Sequence, residues 1–326
     1  MAFGCLLLAG CSTPKPSEGS RKPIPVTDSA RPNLTGMVLI PSGTFTFGSD
    51  EGRADEKPVR TVDLDAFWID KHEVTNAQFE EFVNATGYVT VAERKPSAKD
   101  FPGVPEADLV PGALVFVVAQ GWKYMPGANW KHPEGPDSNI NKRMNHPVVQ
   151  VCWDDAKAYA EWAKKSLPTE AQFERAAKGG KDSNRYAWGD TPVDEAKPKA
   201  NFWQGAFPSK NDNTDGFAST SPVGSFPKNG YGLSDMSGNV WEWCLDYYRP
   251  DAYKSASKAN PAGPKDSFDP DEPGMAKRVV RGGSFLCAEC YCSGYRVSAR
   301  MKSSPDTGLY HTGFRCIVNL PNEKTR

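Results

Sequence analysis

Patterned chain begins at Met37. The stretch MVLIPSGTFTFGS, residues 37–49, is an apolar run, a Pro-Ser-Gly turn and an alternating segment, which predicts two strands. RTVDLDAFWIDKHEVTNAQFEEFVNAT, residues 60–86, runs from strand into helix, with Phe79, Phe82 and Val83 on one face and Thr75 at the N-cap position. CWDDAKAYAEWAKKS, residues 152–166, predicts a second helix with Asp154 as cap and Ala158, Trp162 and Ala163 inward. LPTEAQFERAAKG, residues 167–179, predicts a third, where Thr169 followed by Gln172 forms a capping box. Residues 94–147 and 179–281 are Gly/Pro/Asn-rich and carry little period. No linker and no fixed-period repeat interrupts residues 37–320, which predicts one intertwined domain.

Before Met37 the pattern is different. The opening apolar run ends in Leu8, Ala9, Gly10 and Cys11, which resembles a bacterial lipobox, where the cysteine is lipidated. The run is too short to span a bilayer. The expected organisation is a lipoprotein-type signal peptide at 1–10, a Pro/Ser/Lys-rich tether at 11–35 and a folded domain at 36–322. That predicts an extracytoplasmic protein held on a membrane through lipidated Cys11, where disulfides are permitted.

Composition sharpens this picture in two places. Lys and Arg number 39 against 40 Asp and Glu, a net charge of -1, and no basic run exists, so nucleic acid is not an expected partner. Glycine (29), proline (28) and tryptophan (9) are all abundant, which suits a loop-rich fold pinned by large aromatic side chains.

GGSFLCAECYCSGYR, residues 282–296, places Cys287, Cys290 and Cys292 within six positions. Staples, metal ligands and redox chemistry are all open readings of it. Two thiolates suit a soft monovalent ion, whereas a structural zinc site takes four ligands. The four histidines, His72, His132, His146 and His311, show no ligand spacing near the cluster. Cys152, Cys244 and Cys316 are left to pair with one another or to fill the core.

MVLIPSGTFTFGS, EVTNAQFEEFVNATGY, GANWKHPEGPDS, NHPVVQVCWDDAKAYAEW, LPTEAQFERAAKGG, ANFWQGAFP, NGYGLSDMSGNVWEW, RVVRGGSFLC and GFRC occur in that order. Together they resemble the formylglycine-generating enzyme (sulfatase-modifying factor) family from about residue 37 to 320. The resemblance implies an α+β fold related to the C-type lectin-like folds, with low regular secondary structure and a small kinked antiparallel sheet with packed helices. It implies oxidation by O2 of a cysteine in a Cys-x-Pro-x-Arg segment of an unfolded sulfatase polypeptide to Cα-formylglycine, with Cu(I) held by Cys287 and Cys292. By the same resemblance Ser284 positions substrate or oxygen, Trp241 lines the pocket, and Arg300 and Arg315 belong to the cleft. Read as residues alone, Ser284 is a turn residue and Trp241 a core residue. Arg315 in GFR could equally hold the terminal strand by a buried ion pair. His311 replaces a common family asparagine, and its imidazole could titrate near neutrality. Cys290 is additional to the family pattern and is read as a bystander.

The resemblance further implies two structural Ca2+ ions. One would take the side chains of Asn201 and Asp215 with the carbonyls of Phe202 and Phe217, the other Asp235 and Glu242 with the carbonyls of Gly238 and Val240. The alternative is an Asx-turn network in loops rich in Asn, Asp and Gly. The other functional readings are a lipid-anchored noncatalytic scaffold of the same superfamily, or an oxidase of a different thiol. The Cys287/Cys292 pair separates enzyme from scaffold.

Overall fold

The two apolar runs on either side of the Pro-Ser turn part company. In a computed structural model describing residues 31–98, 103–194 and 196–321, β1 (Met37–Ile40) pairs antiparallel with β4 (Phe67–Asp70). β4 pairs on its other edge with β11 (Ile317–Asn319), so both ends of the domain meet in one sheet. β2 (Gly43–Phe47) pairs instead with β3 (Arg60–Leu64), and Phe45, Phe47, Val62 and Leu64 point into the core. The signal segment, Cys11 and the tether up to residue 30 lie outside the described residues. No helix among the described residues is long and apolar enough to cross a membrane.

A second sheet has the order β10-β7-β8-β9, from β7 (Trp241–Tyr247), β8 (Arg278–Arg281), β9 (Arg300–Ser303) and β10 (Thr312–Gly313). β10 runs parallel to β7, the other pairs are antiparallel, and the β7–β8 register shifts between Trp243 and Tyr247. One hairpin, β5 (Gly112–Val117) and β6 (Gly121–Pro126), stands where little regular structure was expected. β6 is mostly exposed, so it lacks the apolar alternation by which a strand is recognised.

α1 (Asn76–Thr86) starts at Thr75, whose hydroxyl accepts from Gln78 N–H, and ends at left-handed Gly87. Its buried Phe79 and Phe82 pack with Trp130, Tyr159 and Phe314. α2 (Trp153–Trp162) corrects the expected cap. Asp154 is exposed, and the cap position is Cys152, whose N–H donates to the carboxylate of Asp155 at 3.0 Å. Ala156, Tyr159 and Ala160 carry the buried face; Trp162 and Ala163, expected inward, are half-buried. α3 (Glu170–Lys178) has the Thr169/Gln172 capping box and is buried along its whole length. Its charges are therefore paired inside: Arg281 reaches Glu170 at 2.8 Å and Glu174 at 2.6 Å, and Arg300 reaches Glu170 at 2.7 Å. Cys152, Cys244 and Cys316 are free and buried, with Cys244 and Cys316 in different hydrophobic clusters, so the expected option of a pairing with Cys316 is not realised. They fill the core as small apolar side chains.

Candidate active site

The cysteine loop is built by the two glycines that follow β8. Gly282 and Gly283 have φ of +92° and +78°, a region glycine enters without strain. A Cβ on Gly283 would lie 2.6 Å from the Gly294 carbonyl carbon and the Tyr295 nitrogen, so the two limbs of the loop touch backbone to backbone. Ser284 then makes a turn: its carbonyl accepts from Cys287 N–H at 2.9 Å and its hydroxyl from Leu286 N–H at 3.2 Å. The Ala288 carbonyl accepts from the N–H groups of Tyr291, Cys292 and Ser293, each at 3.1 Å, and reverses the chain. This brings the Cα atoms of Cys287 and Cys292 to 5.5 Å, and their sulfurs are joined as a disulfide.

Both sulfur-bearing residues are buried, Cys287 at 1% and Cys292 at 4% exposure, while Cys290 and Tyr291 at the apex face solvent. The Ser284 N–H donates to Cys287 Sγ at 3.4 Å, and its Oγ lies 4.0 Å from that sulfur. Trp241 is buried against Gly294, where an added Cβ would run into the indole and come within 2.9 Å of Cys287 Sγ. Ser284 and Trp241, expected near the pair, are thus brought to it. Three contacts were not legible beforehand. The Trp203 N–H donates to the Cys287 carbonyl at 3.1 Å, Arg53 Nη2 to the Cys292 carbonyl at 2.6 Å, and Tyr291 stacks on Phe207 at 4.4 Å. Trp203 and Phe207 belong to the ANFWQGAFP segment, but nothing in the local sequence of Arg53 marks it.

Arg300 and Arg315 are placed in buried ion pairs. Arg300 donates to both oxygens of Glu170 and to the carbonyls of Asp55 and Arg249. Arg315 forks onto Glu242 at 2.7 and 2.8 Å and reaches the carbonyls of Ser234, Asp235 and Asp70. His311 offers its carbonyl to Trp241 N–H, and its ring packs on Trp122 at 4.7 Å. Burial holds its imidazole well below the usual histidine range.

Among the described residues no group of three or more His, Cys, Asp or Glu side chains is arranged to hold a metal, so a four-ligand zinc site is not built here. Two sulfurs on one short loop still match what a soft monovalent ion requires. Around the first expected cation site, Asn201 Oδ1 is buried without a partner while its Nδ2 donates to the Ser219 carbonyl at 2.8 Å. Asp215 accepts from Phe202 N–H, Gln204 Nε2 and Phe217 N–H, so an Asx-turn network is present as well. Around the second, Asp235 accepts from Gly224 N–H at 2.6 Å, and Glu242 has both oxygens on Arg315. Gly238 and Val240 lie on the buried turn entering β7, where Gly238 N–H donates to the Gly282 carbonyl at 2.8 Å.

Glu73, which sequence reasoning passed over, is fully buried beside these acids. Its Oε1 accepts from Asn239 Nδ2 at 3.1 Å and its Oε2 has no partner. Burial first, then the charges of Asp235 and Glu242, push its carboxyl well above the usual range. The unpartnered Glu73 oxygen is a free buried acceptor of the kind an oxygen-coordinated cation takes. The orphaned Asn201 Oδ1 fits one at the first position.

Residues 24–320 match the sulfatase-modifying factor enzyme 1-like domain. The chain is 49% identical to a formylglycine-generating enzyme of Thermomonospora curvata over 296 residues, covering 87% of this chain and 93% of that protein. It is 36% identical to an inactive Cα-formylglycine-generating enzyme 2 of Mus musculus, covering 88% and 87% of the two chains. Among solved structures, PvdO from Pseudomonas aeruginosa superposes with a TM-score of 0.60 at 25% identity, covering 87% of this chain and 94% of that one.

Proposed function

Because this chain belongs to the sulfatase-modifying factor enzyme 1-like family, we propose that it is a sulfatase-activating oxidase that converts a cysteine of an unfolded sulfatase polypeptide to Cα-formylglycine. The observation that carries this reading is the Cys287/Cys292 pair, held at 5.5 Å between Cα atoms with Ser284 and Trp241 packed against it.

Cys287 and Cys292, once reduced, are the residues that would hold Cu(I). Bound there, the ion would supply the electron-transfer chemistry by which O2 oxidises the substrate thiol. The chain's own residues do the positioning. Ser284 N–H orients Cys287 Sγ, Trp203 N–H and Arg53 fix the carbonyls of the two cysteines, and the Trp241 indole closes the inner wall against water. Tyr291, exposed and next in sequence to Cys292, stacks on Phe207 and would offer an aromatic surface to an extended polypeptide. A Cys-x-Pro-x-Arg segment is the proposed target.

The Asn201/Asp215 and Glu73/Asp235 positions are the proposed Ca2+ sites, supported by the two orphaned oxygens. LAGC at residues 8–11 supports lipidation at Cys11 and an extracytoplasmic, membrane-anchored location. Cys11→Ser should move the protein from the membrane fraction to the soluble one.

A second reading draws on the disulfide itself: the pair is a staple, and the chain is a noncatalytic scaffold. One experiment separates the two. The protein is reduced, loaded with Cu(I) and incubated under air with a Cys-x-Pro-x-Arg peptide, beside Cys287→Ser and Cys292→Ser, and the peptide mass is followed. Conversion to the aldehyde or its hydrate, lost in both variants, is the expected result. Tight copper binding without conversion would move the substrate elsewhere, and absence of copper binding would leave the scaffold.

A further inference from the structure

The disulfide encloses a third sulfur. Cys290 is exposed at the apex of the loop that Cys287 and Cys292 close, whereas the bonded residues are 1% and 4% exposed. An external thiol must approach a disulfide in line with the S–S bond, and burial of both sulfurs denies that approach. The exposed sulfur is tethered three residues from Cys287, and Cys287-Ala288-Glu289-Cys290 has the Cys-x-x-Cys spacing used by dithiol redox motifs. Cys290 and Cys292, two apart, would close a tighter ring. The turn held by the Ala288 carbonyl sets Cys290 inside the short loop that the disulfide closes.

We propose that Cys290 is the entry point for thiol–disulfide exchange into the Cys287–Cys292 pair, taking low-molecular-weight or protein thiols as its partners. In the first step the Cys290 sulfur attacks Cys287 Sγ. The Cys287–Cys292 bond breaks, a Cys287–Cys290 bond forms, and the proton from Cys290 goes to the departing Cys292 sulfur. In the second step an external thiol attacks the exposed Cys290 sulfur, giving a Cys290 mixed disulfide and releasing Cys287 as a thiol. A second external thiol frees Cys290 and leaves as the external disulfide. The protein gains two electrons and two protons, and two external thiols are oxidised. The inference concerns the loop of the proposed oxidase but needs only the disulfide, so it stands without the oxidase reading.

The test follows reduction of the Cys287–Cys292 disulfide in the full chain by glutathione, without copper or peptide, using acid quench, alkylation and peptide mass spectrometry. Wild type is compared with Cys290→Ser and with wild type alkylated at Cys290 after folding, which keeps the measurement valid if the serine variant folds poorly. Both blocked forms should be reduced at least about tenfold more slowly, since a tethered thiol acts at high effective concentration. Wild-type intermediates should carry glutathione on Cys290 or a Cys287–Cys290 bond. Equal rates in all three proteins, or a first glutathione adduct on Cys287 or Cys292, would overturn the proposal. Failure of the peptide oxidation would leave this result untouched, so the two readings fail separately.

Discussion

Gly294 has no space for a methyl group: its missing Cβ position is taken up by the Trp241 indole and lies 2.9 Å from Cys287 Sγ. Gly294→Ala should cost about 1–3 kcal/mol in urea unfolding, the usual range for overpacking, and should lower peptide oxidation by moving Trp241 or Cys287. Asp246 presents a different strain. It is buried, its Oδ2 accepts from Glu170 N–H at 2.8 Å, and burial followed by the charge of Glu170 pushes its carboxyl up to about 7. A folded value above the unfolded one means that the native state binds the extra proton between them. Stability should therefore fall as pH rises from the ordinary aspartate range to about 7, with the loss complete above that. Asp246→Asn keeps an acceptor for Glu170 N–H and cannot ionise. Its unfolding free energy should show a flatter slope across that window, and an unchanged slope would assign the dependence elsewhere.

At the scale of elements, α3 is where charge and packing are bound together. Arg281 and Arg300 reach its Glu170 from β8 and β9, and Arg281 also reaches Glu174, all at or below 3% side-chain exposure. Removing the shared acid leaves two buried guanidinium groups short of countercharge. Glu170→Gln should cost about 3–5 kcal/mol in denaturant unfolding. Thr169→Ala, which removes only the acceptor for Gln172 N–H, should cost about 1 kcal/mol. The contrast checks whether the helix is held chiefly by its cap or by its ion pairs. Arg300 also ties β9, the strand that follows the cysteine loop, to this helix.

Across the whole molecule, the long loops lean on two acidic, amide-rich positions that share a single residue. Asn239 sits left-handed at φ 61°, accepts from Asn201 Nδ2 on one side and donates to Glu73 on the other, while its carbonyl takes Phe285 N–H from the cysteine loop. If calcium binds there, chelation should lower the melting temperature, by an amount worth about 2.7 kcal/mol when the ion had been present at a hundredfold over its Kd. Asn201→Ala and Glu73→Gln should each weaken that calcium dependence, read by calorimetry without substrate. A melting curve indifferent to chelator would leave the Asx-turn network as the full account of these loops.

How far each scale could be read in advance follows from the range of the forces involved. Helix starts at Thr75 and Thr169, the strand runs from Met37 and Arg60, and the Gly-Gly-Ser turn before Cys287 all depend on neighbours within a few residues, so the sequence by itself determined them. The α2 cap escaped because two adjacent aspartates compete, and tertiary contacts from Tyr88 and Val91 N–H draw Asp155 inward. The cysteine pair was legible as a motif, and so was the family. Only the tertiary structure decided that β1 pairs with β4 rather than β2, and that Arg300 and Arg315 hold acids. It also brought Arg53, 239 residues away in sequence, to the carbonyl of Cys292. Those contacts are hydrogen bonds and ion pairs whose partners are chosen by packing, and no local pattern encodes the distance between residues that meet only when the chain has closed on itself.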